Sequence, residues 1–94
     1  MDEQRGPVYD DHEYIFHRHY EENYTNADYP MERYETGYRY GFHLAQPGPP
    51  EEWADIEEQA RRGWEAKEVG PWADFKDAVR HAWETAKEAM NDET

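Results

Sequence analysis

Two segments of equal length, PMERYETGYRYGFHLA at residues 30–45 and PWADFKDAVRHAWETA at residues 71–86, decide the fold. Each begins with proline, which a helix tolerates in its first turn because the missing N–H would have no partner there. Large apolar side chains then recur every three or four residues, a spacing that places them on one side of an α-helix. The pattern predicts two amphipathic helices, and the side chains expected in the core are Tyr34, Tyr38, Phe42, Phe75, Val79 and Trp83.

Two further segments show the same spacing and predict two more helices. The stretch QPGPP at residues 46–50 is the strongest helix breaker and divides the chain almost in half. No cysteine is present, and 94 residues are too few for a second self-sufficient core. The sequence therefore predicts a single domain at residues 9–90 between polar tails at 1–8 and 91–94, with helices at about 11–24, 30–45, 50–67 and 71–90. Added core positions are Phe16, Tyr20, Tyr24, Trp53, Ile56, Ala60, Trp64 and Trp72.

A shift of 41 residues aligns the second predicted helix with the fourth, which suggests an internal repeat. Proline falls on proline, arginine on arginine and aromatic on aromatic; the identical pairs are Pro30 with Pro71, Arg39 with Arg80, and Ala45 with Ala86. Chance alignment of two amphipathic helices is the alternative. The prediction is an all-α fold of two pseudo-symmetric helical hairpins, with repeat one at residues 9–45, a linker at 46–50 and repeat two at 51–90.

Small residues occur four apart in both of the aligned helices. Gly37 and Gly41 in one correspond to Ala78 and Ala82 in the other. Glycine inside a helix costs roughly 1 kcal/mol relative to alanine, so its presence suggests that another helix approaches closely. We expect the second and fourth helices to touch directly at these positions.

The charge balance restricts the partners. With 23 acidic and 10 basic residues the formal net charge is −13, which disfavours nucleic acid and anionic lipid. No apolar run approaches the 18 residues typical of a membrane span, and the acidic N-terminus is unlike a signal peptide. Three explanations of the acidic surface remain open: the protein imitates DNA, it works in a salt-rich cytoplasm, or the charge keeps it soluble. We expect a cytoplasmic protein whose partner, if any, is a protein or a second copy.

The strings ERYETGYRYGFHLA, ADIEEQARRGWE and GPWADFKDAVRHAWE carry a resemblance over residues 16–86. The chain resembles a family of small, aromatic-rich helical bacterial proteins whose genes occur beside general stress-response genes. That family shows Y…YRYG…LA, then W…VE…AR..WE, then G.W..FKDAVR.AW; here Ile56 replaces the valine. The resemblance implies a bacterial, cytosolic protein linked to stress. It brings no activity, catalytic residue or cofactor.

Arg39 and Arg80 are the most informative charges, because each follows a core position at matching places in the repeat. We expect each to pair with a carboxylate on the first helix of a hairpin, with a solvated arginine as the alternative. The expected carboxylates are Glu57 or Glu58 for one arginine and Glu21 or Glu22 for the other. The candidate functional or structural polar positions are Arg39, Arg80, Glu57, Tyr38, Tyr40 and His17.

The sequence offers little for catalysis or for metal binding. Cysteine and serine are absent, and no threonine lies in a glycine-rich elbow or phosphate loop. Glu13 and His17 are four residues apart and can lie on the same side of a helix. A di-metal bundle, however, requires an E-x-x-H pair on each of two helices, and the sequence contains no such pair. We therefore expect a protein without enzymatic activity or cofactor, acting as an interaction or structural module. The alternative is a metal- or small-ligand-binding protein that uses the Tyr/His-rich first half.

Overall fold

The computed structural model describes residues 9–26, 29–45 and 52–91, and over these ranges the protein is all-α. Its four helices are α1 (Tyr9–Asn23), α2 (Met31–Leu44), α3 (Trp53–Lys67) and α4 (Trp72–Asn91). The four-helix, all-α prediction is confirmed. The predicted tail at 1–8, the linker at 46–50 and residues 92–94 lie outside the described ranges, and Asn91, predicted in the second tail, is the last residue of α4.

Acidic residues cap the start of α3. The helix begins at Trp53, whereas the predicted start at Pro50 lies outside the described residues. The backbone N–H of Glu52 donates to the Asp55 carboxylate (3.3 Å), and the backbone N–H of Asp55 donates to the Glu52 carbonyl (2.8 Å). A carboxylate in the first turn satisfies a free N–H and complements the helix dipole. In α2 the N-cap position, directly before the first helical residue, is occupied by Pro30.

α2 and α4 form the most extensive helix pair of the described chain. A Cβ built on Gly37 would lie 3.7 Å from the Ala78 Cβ, and a Cβ on Gly41 would collide with the backbone carbonyl of Val79. Ala78 and Ala82 are completely buried. The predicted direct contact between the two helices is therefore confirmed, with Gly41 seated on the backbone of its neighbour.

Aromatic rings fill the space around this pair. Of the fourteen side chains expected in the core, eleven are buried, and Tyr20, Tyr24 and Ile56 are partly buried against them. α1 and α3 each contribute the aromatic residue that begins the helix and further side chains from a single face of the helix. The buried aromatic residues are Tyr9, Phe16, Tyr34, Tyr38, Phe42, Trp53, Trp64, Trp72, Phe75 and Trp83.

The outer helices are attached to the central pair by fewer contacts. α1 lies against α2, and α3 lies against α4 and, more lightly, α2. Tyr40 of α2 ties down α3, because its hydroxyl donates to the Ala60 carbonyl at 2.9 Å and occupies the space that a Cβ on Gly63 would take. That the pairs α1–α2 and α3–α4 are two equivalent hairpins made by duplication remains a prediction. None of the described helices combines the length and apolarity that crossing a bilayer requires.

Candidate functional site

Three polar rings from three helices meet where α1 packs on the central pair. His19 of α1 stacks on His81 of α4, with ring centroids 4.1 Å apart and planes inclined by 12°. The Nδ1 atom of His19 lies 2.7 Å from the hydroxyl of Tyr38 in α2, which is a hydrogen bond. Tyr38 is only 1% exposed, so His19 provides its buried hydroxyl with a partner. We call these three residues the His–Tyr junction.

The inner side of His81 is apolar. The Phe16 ring meets the His81 ring edge-on at a centroid distance of 6.0 Å, and the Nε2 atom of His81 is buried without a hydrogen-bond partner. A positively charged imidazole carries a proton on both nitrogens, so it would place an N–H donor where the structure offers no acceptor. The packing therefore favours the neutral form of His81.

Burial lowers the pKa of both His19 and His81 below the ordinary value for histidine. The neighbouring His81 lowers the pKa of His19 further, since two imidazolium ions would repel each other at this distance. Burial also raises the pKa of Tyr38, which keeps its proton. The carboxylates that oppose these shifts have smaller effects: Asp77 and Glu22 act on His19, and Glu84 and Glu88 act on His81.

A cleft of about 450 Å³ opens beside the junction, between α1 and α4. Arg80, one of the residues that line the cleft, pairs with Glu84, with its Nε 2.9 Å from the carboxylate oxygen. The rest of the lining mixes aromatic, amide and acidic groups. The lining residues are His19, Asn23, Tyr24, Asp77, Arg80, His81 and Glu84.

Tyr40 of α2 corresponds to His81 of α4 in the aligned segments, but its polar contacts differ. Tyr40 follows Arg39 as His81 follows Arg80. Tyr40, however, reaches across to α3 and hydrogen-bonds the Ala60 carbonyl, whereas His81 is shorter and leaves its Nε2 without a partner.

Neither arginine makes the long-range ion pair that the sequence suggested, and that expectation is wrong. Arg39 pairs with Glu35 (3.3 Å) and Arg80 with Glu84, each on its own helix. A partner one turn away is already within reach and requires no ordering of a second element. The carboxylates expected to pair with the arginines have other partners: Glu57 binds Lys76, Glu58 binds Arg61 and Arg62, Glu21 binds His17, and Glu22 binds Arg18.

The arginines nevertheless occupy comparable environments. The guanidinium of Arg39 lies over the ring of Tyr9, 4.4 Å from its centroid, and that of Arg80 lies 5.9 Å from the centroid of Trp53. Tyr9 and Trp53 are the first residues of α1 and α3. Each arginine therefore covers the aromatic residue that begins an outer helix.

A second surface lies on the outward side of α1. Tyr14 is 69% exposed, which makes it the most exposed large hydrophobic side chain of the described residues. With Asp10, Glu13 and His17 it borders a shallow hollow of about 410 Å³. These positions are three or four apart and form one continuous stripe, which we call the Tyr14 face. Among the described residues no three histidine or acidic side chains are grouped closely enough to hold a metal ion.

Of the six positions singled out in the sequence, Tyr38 belongs to the junction, Arg80 lines the cleft and His17 lies on the Tyr14 face. The structure does not bring Arg39, Tyr40 or Glu57 to either place. Sequence reasoning missed the pairing of His19 with His81. The available signal was the three-residue spacing from Phe16 to His19, which places this histidine on the core side of α1.

Comparisons with known proteins add no relative to this picture. No protein-family profile, no curated protein and no solved structure matches the chain.

Proposed function

We propose that the protein is a protein–protein interaction module of the bacterial cytosol, linked to the stress response, and that the Tyr14 face docks a basic partner protein. The stress link and the cytosolic location rest on the family resemblance. The observation that carries the docking surface is the exposure of Tyr14 among acidic side chains. An exposed aromatic ring is the type of side chain that anchors protein interfaces.

Charge complementarity identifies the kind of partner. α1 carries five carboxylates and one arginine, and the whole chain has a net charge of −13. A partner arginine can stack on the Tyr14 ring while it pairs with Asp10 or Glu13. A second copy would present the same negative charge to this face, so like-charge repulsion disfavours a homodimer there.

The test begins with a photo-reactive benzoylphenylalanine at position 14 in bacterial cells, and at position 54 of α3 as the control. A protein captured at position 14 alone is then purified, and its affinity is measured at two salt concentrations. Tyr14→Ala is expected to weaken binding about 30-fold, the size typical of an interface anchor. Raising the salt concentration is expected to weaken binding further.

Two outcomes would contradict this proposal. One is binding by Tyr14→Ala as tight as by the unaltered protein. The other is a concentration-dependent dimer in sedimentation equilibrium that Tyr14→Ala abolishes, because that dimer would be the occupant of the face.

The α1–α4 cleft favours a second candidate, the binding of a small polar ligand, to which the Tyr/His-rich first half contributes His19 and Tyr24. Its volume of about 450 Å³ and its mixture of aromatic, amide and acidic groups suit such a molecule. Native mass spectrometry of protein purified without a metal-affinity tag tests this candidate and reports oligomeric state in the same spectrum. A co-purifying small molecule that His81→Phe removes would support it, and a spectrum of the bare chain would count against it.

A further inference from the structure

We propose that the His–Tyr junction is an acid-sensitive latch, which holds α1 on the α2–α4 pair while His19 and His81 are neutral and loosens α1 when either ring takes up a proton. The release of α1 stands on the geometry of the junction alone. Only its consequence, a changed position of the Tyr14 face, rests on the proposed function.

The stacking of the two rings makes the junction intolerant of charge. The ring centroids are 4.1 Å apart, so an imidazolium ion in this stack would lose part of its hydration. Protonation of the second ring would in addition place two like charges in contact. The buried Nε2 of His81 adds a separate penalty, because its N–H would have no acceptor among the described residues. Both penalties disappear when α1 moves away and water reaches the rings.

The bond between His19 and Tyr38 acts in the same direction. Tyr38 retains its proton, and in the tautomer of neutral His19 that carries its proton on Nε2, the Nδ1 atom accepts a hydrogen bond from the Tyr38 hydroxyl across 2.7 Å. Protonation of Nδ1 replaces this acceptor with a donor, so the phenol proton of Tyr38 loses its partner in a buried position. Because the Tyr38 oxygen can accept from the new N–H, the hydrogen bond persists with its direction reversed, and protonating His19 leaves a buried phenol donor unsatisfied between α1 and α2.

The carboxylates around the junction oppose the latch without cancelling it. Tyr38 is the titratable group that faces His19 from α2; Asp77 and His81 face it from α4, and Glu22 and Tyr24 flank it on its own side. His81 meets His19 from α1, with Arg80, Glu84 and Glu88 on its own helix. The carboxylates among these are exposed, so water and salt screen their attraction for an imidazolium ion.

α1 is the helix that the latch releases first. The histidine pair joins α1 to α4, while the α2–α4 contact at Gly37, Gly41 and Ala78 involves no titratable group. Only Tyr9 and Phe16 of α1 are fully buried. All four tryptophans lie in α3 and α4, so they report on the part of the protein that is expected to stay folded.

Acid titration followed by amide NMR of α1 and by the four indole N–H resonances tests the latch. Below the pKa of free histidine, each ring that is protonated only in the open state raises the opening constant about tenfold per pH unit. As the pH is lowered, we expect the α1 resonances to move to random-coil positions first. The indole resonances are expected to lose their dispersion only at a lower pH. Coincident transitions of both sets would overturn the proposal.

Two variants locate the effect. His19→Gln keeps an acceptor for Tyr38 and His81→Phe keeps a stacked ring, and each removes one titrating group. Each variant is expected to shift the α1 transition to lower pH, whereas His43→Gln, at an exposed position of α2, should leave it unchanged. An equal shift in the His43→Gln control, or no shift in both junction variants, would contradict the latch. Binding to the Tyr14 face is not needed for any of these readouts.

Discussion

Arg39 and Arg80 illustrate how a side chain chooses among many partners. The chain offers 23 carboxylates, and each arginine takes the one a single turn away on its own helix. The side chains of the Arg80–Glu84 pair are about half exposed, so water competes with the bond. Exposed pairs of this kind contribute about 0–1 kcal/mol. The guanidinium of Arg80 also lies over the ring of Trp53, and this contact does not involve the carboxylate.

Removing Arg80 should consequently be mild. Arg80→Ala is expected to lower the free energy of unfolding by about 1 kcal/mol or less, since no buried charge is left alone. Arg62→Ala, whose ion pair with Glu58 is also exposed, serves as the matched control. Urea unfolding of both variants provides the measurement. A loss near 3 kcal/mol for Arg80→Ala would indicate a buried ion pair instead.

The sequence predicted which side chains are buried far better than it predicted their polar partners. A helical period identifies a core face from one segment alone, as with Tyr38 and Val79. The contact of His19 with His81 depends on how α1 lies against α4, which no local pattern specifies. The hydroxyl of Tyr40 likewise finds a carbonyl of α3, a contact that requires the final packing of both helices.

The helices themselves followed from spacing, and the small residues specified one of their contacts. Gly37 and Gly41 face α4 at the same interface but at different distances from it. The helix ends lie zero to three residues from their predicted positions, and the start of α3 at Trp53 coincides with the Glu52–Asp55 hydrogen bonds. A helix boundary depends on individual hydrogen bonds, whereas a helix face depends on the sum of many side chains.

Replacing the two glycines with alanine should have opposite effects. Gly37→Ala places its Cβ at ordinary contact distance from Ala78 and gains helix propensity, so stability is expected to rise by up to about 1 kcal/mol. Gly41→Ala drives its Cβ into the Val79 carbonyl and is expected to cost about 1–3 kcal/mol. Thermal unfolding of both variants provides the measurement, and each variant serves as the control for the other. Equal effects would mean that α2 and α4 are not in close contact at Gly41.

The protein as a whole combines a highly charged surface with a core of large rings. Hydrophobic residues make up only 36% of the chain, but aromatic residues make up 16% and carry most of the burial. All eight tyrosines lie between Tyr9 and Tyr40, so α1 and α2 bury hydroxyl groups that α3 and α4 do not. The hydroxyls of Tyr38 and Tyr40 have partners, and that of Tyr9 is buried without one. This distribution makes the protein sensitive to alkaline pH.

Burial raises the pKa of both Tyr9 and Tyr24 from 10.0 to about 12. The unfolded chain releases these protons near the ordinary value while the folded protein retains them, so stability is fully present below pH 10.0 and falls as the pH rises toward 12. At about 1.4 kcal/mol per pKa unit, Tyr9 alone is expected to cost roughly 2–3 kcal/mol at the top of this window. Tyr9→Phe removes that loss and also removes a buried hydroxyl without a partner, so it should be neutral or stabilising at pH 7 and raise the midpoint of alkaline unfolding. Circular dichroism followed together with tyrosinate absorbance measures this midpoint. Tyr14→Phe, at the exposed ring on α1, should leave it unchanged, and an equal rise in both variants would show that ionisation of Tyr9 is not what unfolds the protein.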